Sequence, residues 1–480
     1  MHWIDGCIFI VYMLAMLGVG FFFLKKNKDA DDYFVGGRNM GRWHIGLSVV
    51  ATDVGGGFSI GLGGLGFVMG LSGSWMLFTG LVGAWLSAVL LIPKVYKMNE
   101  QFRFLTFPQV FANHYGPKVA LVAGIISLIG YTGFSSSQIL AGAKLASASI
   151  PELELTTALI IMGVIAVIYT VMGGMKAVIY TDTIQWILLL VGLIFIAIPI
   201  AYSTIGGYEA IKKTVEPELL SLTNVKWPQL LNWAITIIPI WFVGMTLYQR
   251  IFASKSKKEA QKAWFIAGLF EWPLMAFMGV LLGLFSKIAA EQGMFTDVGF
   301  MSAAALDPEM GLPLLLSHIL PVGLMGIMLS AYFSAILSTA DSCLMAASGN
   351  LTTDILGGYL KGKSHQTGLK YSQFFTFLIG AFAIWLAMSM ENVLELMLLS
   401  YAFMVSGLFV PILGLLYSKR VSYTAALSSM IIGGVTTISL ELFNIKLPFD
   451  INANFFGILA ASILFLIITY LDKNTPIQSK

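Results

Sequence analysis

The sequence predicts an all-α, multi-pass membrane protein built around two similar halves with interrupted helices. Three observations lead there. The 480 residues are 57% hydrophobic, with a mean hydropathy of +0.83. Charged residues make up only 11%, against roughly a quarter in a soluble domain. The apolar residues also gather in runs of about 20, the length that crosses hydrocarbon as a helix. A chain so poor in charge cannot clothe a water-facing surface. Most of its outside must face lipid, where only fully hydrogen-bonded backbone is stable.

About thirteen runs qualify as spans: 3–24, 43–69, 73–97, 119–148, 156–172, 183–204, 230–252, 263–286, 321–352, 371–389, 393–417, 423–442 and 452–471. The stretch 312–320 reads as a short helix ahead of the ninth span. The longest polar stretches, 205–229 and 287–311, are too short for a second domain. The first run resembles a signal peptide in length. Residues Met1 to Asp5 hold no Lys or Arg, however, and Lys25, Lys26 and Lys28 follow the run, an order that fits a retained span. Cys7 and Cys343 lie in apolar runs, which argues against a disulfide framework, and no Cys-x-x-Cys metal spacing exists. No basic cluster is interleaved with aromatics, so nucleic acid is not an expected partner.

Positive charge orients the chain. With the N-terminus outside, successive cytoplasmic loops carry Lys25, Lys26, Lys28, Arg38 and Arg42, then Lys94, Lys97, Arg103 and Lys118, then Lys176. Arg250, Lys255, Lys257, Lys258 and Lys262 follow, then Lys361, Lys363 and Lys370, then Lys419 and Arg420. Lys473 and Lys480 end the chain inside, which makes the span number odd. The other side holds only Lys144, Lys212, Lys213, Lys226, Lys287 and Lys446. The expected location is the plasma (inner) membrane, with lipid as the surrounding partner.

Two spans carry helix-breaking residues at their centres. Span 2 contains Ala51-Thr52-Asp53-Val54-Gly55-Gly56-Gly57-Phe58-Ser59-Ile60-Gly61. Span 7 contains Ile238-Pro239-Ile240-Trp241-Phe242-Val243-Gly244. An offset of five spans places two five-span units in opposite topologies, and paired interruptions point to a midplane binding site. Glycine and proline are also frequent in ordinary membrane helices.

The intramembrane acids carry the chemistry. Asp53 sits beside the glycines of span 2, where a charge costs at least about 2.5 kcal/mol and is expected to meet a polar cavity or a partner. The alternative is a structural acid that caps a half-helix, and the two roles are compatible. In span 9, Ala335, Ser338, Thr339 and Ser342 share one helical face. Such a face often only packs helices closely. Asp341 on the same segment adds a carboxylate, and hydroxyl and carboxylate oxygens suit a small hard cation. Asp182 opens span 6, where an acid commonly serves the helix N-terminus.

Four motifs then coincide: Val35-Gly36-Gly37-Arg38, Ala51-Thr52-Asp53 with its glycines, Gly173-Gly174-Met175-Lys176-Ala177-Val178 leading to Thr181, Asp182 and Gln185, and Ser338-Thr339-Ala340-Asp341-Ser342 ending near Thr353-Asp354. In this order the chain resembles the sodium:solute symporter family of proline, pantothenate, sugar, choline and sialic acid carriers. The resemblance implies a LeuT-like fold with a 5+5 inverted repeat. Residues 1–42 then hold the first span and a cytoplasmic loop, 43–204 the first repeat, 230–420 the second, and 421–480 two C-terminal spans, in a single transmembrane transporter domain. It also implies sodium as the coupling ion, bound by the backbone carbonyls of Ala51, Val54 and Ala335 and the hydroxyls of Ser338 and Thr339. A second sodium would use Asp182, Ser338, Asp341 and Ser342.

The expected function is sodium-coupled import of a small organic solute by alternating access. Asp53, Phe58, Ser59, Tyr131, Gln138, Trp241, Thr246 and Tyr401 are the candidate solute-binding residues, although aromatic residues in spans more often pack. Choline is disfavoured, because Asp53, Ser135 and Gly244 stand where its carriers have tryptophan and a quaternary ammonium needs an aromatic cage. The Asp53 motif fits a zwitterionic amino acid such as proline. A sugar, vitamin or carboxylate is the alternative within the class. A passive channel would need a lined pore or filter, and no such repeat is present. No hydrolase or metalloprotease motif appears, so no enzyme activity and no catalytic residue is expected. A sensor would need a signalling domain. No protein partner is called for.

Overall fold

The computed structural model describes residues 2–24, 34–150, 152–360 and 365–472. Within those helices the side chains of residues 20, 23–24, 54, 56–59, 172–174, 176–177 and 365–369 lie outside the description. The expected inside loops carrying Lys25, Lys26, Lys28, Lys176, Lys361, Lys363, Lys473 and Lys480 fall there. The described chain is helical, and among the described residues its only β-type pairing is an isolated bridge between Met40 and Ser254. Among the described residues nine helices are long and apolar enough to cross a membrane, or ten if Trp227–Val243 and Met245–Ala253 form one bent span. Trp3–Val19 and Leu155–Val171 are shorter apolar helices. Large apolar side chains such as Val11, Phe195 and Leu466 are exposed, as lipid-facing residues must be.

The boundaries differ from expectation in three places. Span 3 is split into Trp75–Leu90 and Ile92–Phe102, with Pro93 in the first turn of the second piece, a position where its missing N–H costs nothing. The backbone is helical from Leu155 to Gly192, so no loop separates spans 5 and 6. Residues 172–181 hold no proline and one charge, Lys176, so nothing there forces a helix to stop. The third is an unforeseen irregularity in span 8, at Phe270–Met275, where Trp272 leaves the helical region (φ −136°, ψ 124°).

Leu324–Gly349 is the centre of the molecule. It packs against Pro117–Ser149, Leu155–Gly192, Arg42–Met69 and Trp3–Leu24, and almost all of it is buried. Its small residues allow that enclosure, since close helix packing in lipid depends on them. Asp5 of the first helix accepts from the Gly323 and Gly326 amides at 2.7 and 2.8 Å, so span 1 satisfies the free amides at the start of this central helix. Tyr423–Leu442 and Ala453–Leu471 form a peripheral pair that packs mainly on itself and on Val393–Tyr417.

The Val35-Gly36-Gly37-Arg38 motif also acquires a cause. Gly36 and Gly37 have φ of 64° and 77°, a left-handed turn that glycine adopts without steric cost. The turn aims Arg38 at the Asn99 side chain (2.9 Å) and the Phe104 carbonyl (2.8 Å). Met40 then exchanges backbone hydrogen bonds with Ala253 and Lys255, both 3.0 Å, joining the approach to span 2 with the exit of span 7.

Arg42–Met69 and Ala276–Glu291 meet almost backbone to backbone. A Cβ on Gly283 would lie 2.0 Å from the Gly63 carbonyl oxygen, and one on Gly66 would lie 2.2 Å from that of Val280. Alanine would gain about 1 kcal/mol of helix propensity at such a site, yet the clash is with rigid backbone. Gly283→Ala is therefore expected to lower the Tm of the purified protein by several degrees. Gly18→Ala, where nothing lies within 4 Å, should leave Tm unchanged or raise it slightly. Equal Tm values for both variants would contradict this packing.

Candidate functional site

Gly55 turns the chain inside the helix Arg42–Met69, with φ 43° and ψ −169°. A side chain is excluded twice. The conformation disfavours it, and a Cβ would lie 2.5 Å from Thr339 Oγ1. The same hydroxyl donates to the Ala51 carbonyl at 2.9 Å and lies 3.2 Å from that of Ala335. Three hard oxygens thus converge where the turn in one span meets the central helix. Of the five expected first-ion residues, Ala51, Ala335 and Thr339 come together here. Val54 is outside the described side chains. Ser338 shares that helical face, but its hydroxyl turns away and donates to Asp182.

Asp182 is fully buried and also accepts from Ser48. Its charge partner is Arg250, with Nη2 at 3.5 Å and both side chains fully buried. Arg250 Nε donates to Ser48 Oγ at 3.0 Å, Nη2 to Ser342 Oγ at 3.0 Å and to Thr52 Oγ1 at 2.5 Å, and Nη1 to the Thr246 carbonyl at 3.2 Å. The planar fork suits this many partners. Of the four expected second-ion residues, Asp182, Ser338 and Ser342 therefore share one network, with a guanidinium standing among them. Asp341 points elsewhere: its Oδ1 accepts from Thr170 at 2.5 Å, and its Oδ2 has no hydrogen-bond partner among the described residues. The positive-inside argument counts Arg250 as a loop residue. The signal against that was its place within the apolar run 230–252.

The solute candidates divide in the same way. Helix Trp227–Val243 ends at Gly244, and Met245–Ala253 leaves at 42°. The new helix start has free amides, and the Tyr131 hydroxyl accepts from Thr246 N at 3.1 Å while contacting Thr246 Oγ1 at 3.1 Å. Phe134 lies between Tyr131 and Tyr401, edge-on to Tyr401 at 4.9 Å. Asp53 is buried against the Tyr401 hydroxyl. Trp241 packs on Gly83, 2.5 Å from where its Cβ would be, and its buried Nε1 has no partner. Gln138 donates to its neighbour Ser137 at 3.3 Å and is not tied to this group by a described contact. Phe58 and Ser59 are outside the described side chains.

One residue of this centre has no place in the sequence reading. Glu271, from the irregular turn of span 8, is fully buried and faces Asp53. An acid immediately before Trp272-Pro273 in an apolar run was the available signal. Lys144 is similarly buried, paired at 2.7 Å with both Asp307 and Glu309, and Glu309 accepts in turn from the Val393 and Leu394 amides. This network borders a cavity of about 470 Å3 at the Met69 end of the turned helix, lined by Gly61, Gly64, Trp233, Glu309 and Asn392. None of the described solute candidates lines that cavity. Among the described residues no three His, Cys, Asp or Glu side chains converge as metal ligands.

Removing one partner of a buried ion pair costs about 3–5 kcal/mol, because the other charge is left uncompensated. Arg250→Met is therefore expected to lower Tm markedly. Adding Asp182→Asn should recover much of that loss, a coupling that a double-mutant cycle measures. Additive losses would show that the two charges do not interact.

The model of the sodium:solute symporter family matches residues 33–433. The chain is 29% identical to the sodium/proline symporter of Escherichia coli (strain K12) over 450 residues, 91% of this chain and 87% of that protein. It is 29% identical to a high-affinity proline transporter of Bacillus subtilis (strain 168), covering 88% and 89% of the two chains. It is 25% identical to sodium/glucose cotransporter 1 of Ovis aries, covering 91% and 71%. In fold it is similar to a solved Na+-coupled sialic acid symporter, with a TM-score of 0.81 at 22% identity over 99% of this chain and 100% of that one. With the match running through every motif above, the chain belongs to the sodium:solute symporter family.

Proposed function

We propose that this protein imports a small organic solute, an amino acid such as proline, together with sodium and by alternating access. The observation that carries the reading is the convergence of the Ala51 and Ala335 carbonyls with the Thr339 hydroxyl at the Gly55 turn. Uncharged hard oxygens of this kind suit a monovalent ion that must also leave. The proposed ion ligands are these three with Val54 and Ser338. The proposed solute residues are Asp53, Phe58, Ser59, Tyr131, Gln138, Trp241, Thr246 and Tyr401. The proline carriers among the relatives support the choice of solute.

The architecture that serves this function has thirteen spans. Spans 2–6 and 7–11 form inverted repeats, with breaks at Gly55 and Gly244, in a LeuT-like arrangement. The N-terminus lies outside and the C-terminus in the cytoplasm of the plasma (inner) membrane. A sodium ion moving inward through 100 mV releases about 2.3 kcal/mol, enough for roughly 50-fold accumulation of a neutral solute.

One sodium per solute fits the arrangement in which Arg250 donates to Ser342 and faces Asp182. A second ion among Asp182, Ser338, Asp341 and Ser342 requires the guanidinium to withdraw. Initial rates of proline uptake into proteoliposomes, measured against sodium, test both points. The wild type should be hyperbolic and inactive when potassium replaces sodium. Thr339→Ala should raise the half-saturating sodium concentration tenfold or more. A sigmoidal wild-type curve would establish the second ion, and equal uptake in potassium would overturn sodium coupling.

A further inference from the structure

The centre of the protein holds two acids with no described cation between them. Asp53 comes from the turned stretch of span 2, and Glu271 from the irregular turn Phe270–Met275 of span 8. Their carboxyls face each other. Both Glu271 oxygens and Asp53 Oδ2 are buried, and among the described residues none of the three receives a hydrogen bond. The Glu271 carboxyl is pressed against span 3, where a Cβ on Gly80 would lie 2.0 Å from Oε2. One turn further along, Gly83 makes the same room for Trp241, whose indole N–H is also unpartnered. Arg250, the buried cation of the neighbouring network, gives its described hydrogen bonds to Ser48, Thr52, Thr246, Asp182 and Ser342, and none to either of these acids.

The Tyr401 hydroxyl is one donor for Asp53, too few for two buried carboxyls whose remaining oxygens are costly to leave unmatched, and two adjacent buried carboxylates repel. A cation with at least two N–H donors relieves both, since each carboxylate receives one charge-assisted bond. A ring ammonium of the pyrrolidine type carries two such donors on one nitrogen, with an apolar ring to lie against the aromatic side chains of Tyr401 and Trp241. A quaternary ammonium has the charge and lacks the donors.

We propose that Asp53 and Glu271 are the two arms of an ammonium-binding subsite, and that Glu271 is a specificity-determining residue selecting solutes with an N–H-bearing ammonium group. The inference deepens the reading of this protein as an amino-acid symporter and rests on it for the identity of the whole solute. The subsite itself is separable from sodium coupling. The three oxygens around Thr339 hold the ion, while the carboxyl pair holds the solute's nitrogen.

The test uses the purified full-length protein with two probes at equal concentration, pyrrolidinium and tetramethylammonium chloride, read as thermal stabilisation. Pyrrolidinium should raise the wild-type Tm in a saturable way and tetramethylammonium should not. Glu271→Gln should weaken the pyrrolidinium response at least tenfold in apparent Kd while the stabilisation by sodium stays within twofold. The wild-type comparison needs no variant, so poor folding of Glu271→Gln would not blunt it. Absence of a pyrrolidinium response, or an equal response to tetramethylammonium, overturns the subsite. So does a Glu271→Gln protein that loses its sodium response and keeps its pyrrolidinium response. Saturable pyrrolidinium binding without sodium-dependent uptake would instead overturn the symport reading and leave the subsite standing.

Discussion

A helix that turns inside a membrane leaves polar backbone that lipid cannot satisfy, and the contact of Thr339 with the Ala51 carbonyl answers that constraint here. The turn at Gly55 requires glycine both for its dihedral angles and because Thr339 occupies the place a side chain would take. That fit requires the central helix Leu324–Gly349 to approach closely, which in turn depends on its small residues and on its burial by four neighbours. The outer packing of span 2 on span 8 through Gly63, Gly66 and Gly283 holds the turned helix in register from its other side. The same oxygens that satisfy the fold are the ones proposed above to hold the ion.

The second interruption is met by different chemistry. At Gly244 the free group is an amide, and the acceptor is the Tyr131 hydroxyl from span 4. The helix that begins there carries Arg250 into the buried network of Ser48, Thr52, Asp182 and Ser342. Spans 2, 6, 7 and 9 are thus tied by one guanidinium, one turn away from the Thr339 oxygens. Any displacement of span 2 or span 6 relative to span 7 or span 9 must either carry this network as a unit or break it.

Much of this was legible in the sequence because lipid leaves few choices. Apolar length gave the helices, and Gly55, Asp53 and the spacing of Ser338 and Thr339 marked the places where buried polar groups meet, in an environment where each polar group has to be explained. What was not legible depended on direction rather than composition. Arg250 reads as a basic loop residue until its helix is seen to turn inward at Gly244. Ser338 and Thr339 share a helical face, yet one hydroxyl turns to Asp182 and the other to Ala51. Asp341, one turn from Ser338, goes to Thr170 instead. Glu271 was hidden by the expectation of a regular span 8. Only the non-helical Trp272 brings its carboxyl to Asp53.

The central claim is that the oxygens gathered at the Gly55 turn hold the coupling ion. An experimental structure of the full-length protein in saturating sodium, at a resolution that shows ions, tests it most directly. The account predicts ion density in contact with Ala51 O, Ala335 O and Thr339 Oγ1, with the Thr339 hydroxyl swung away from its direct bond to Ala51. Density between Asp53 and Glu271 or beside Asp182, with the Thr339 bond to Ala51 intact, would contradict it.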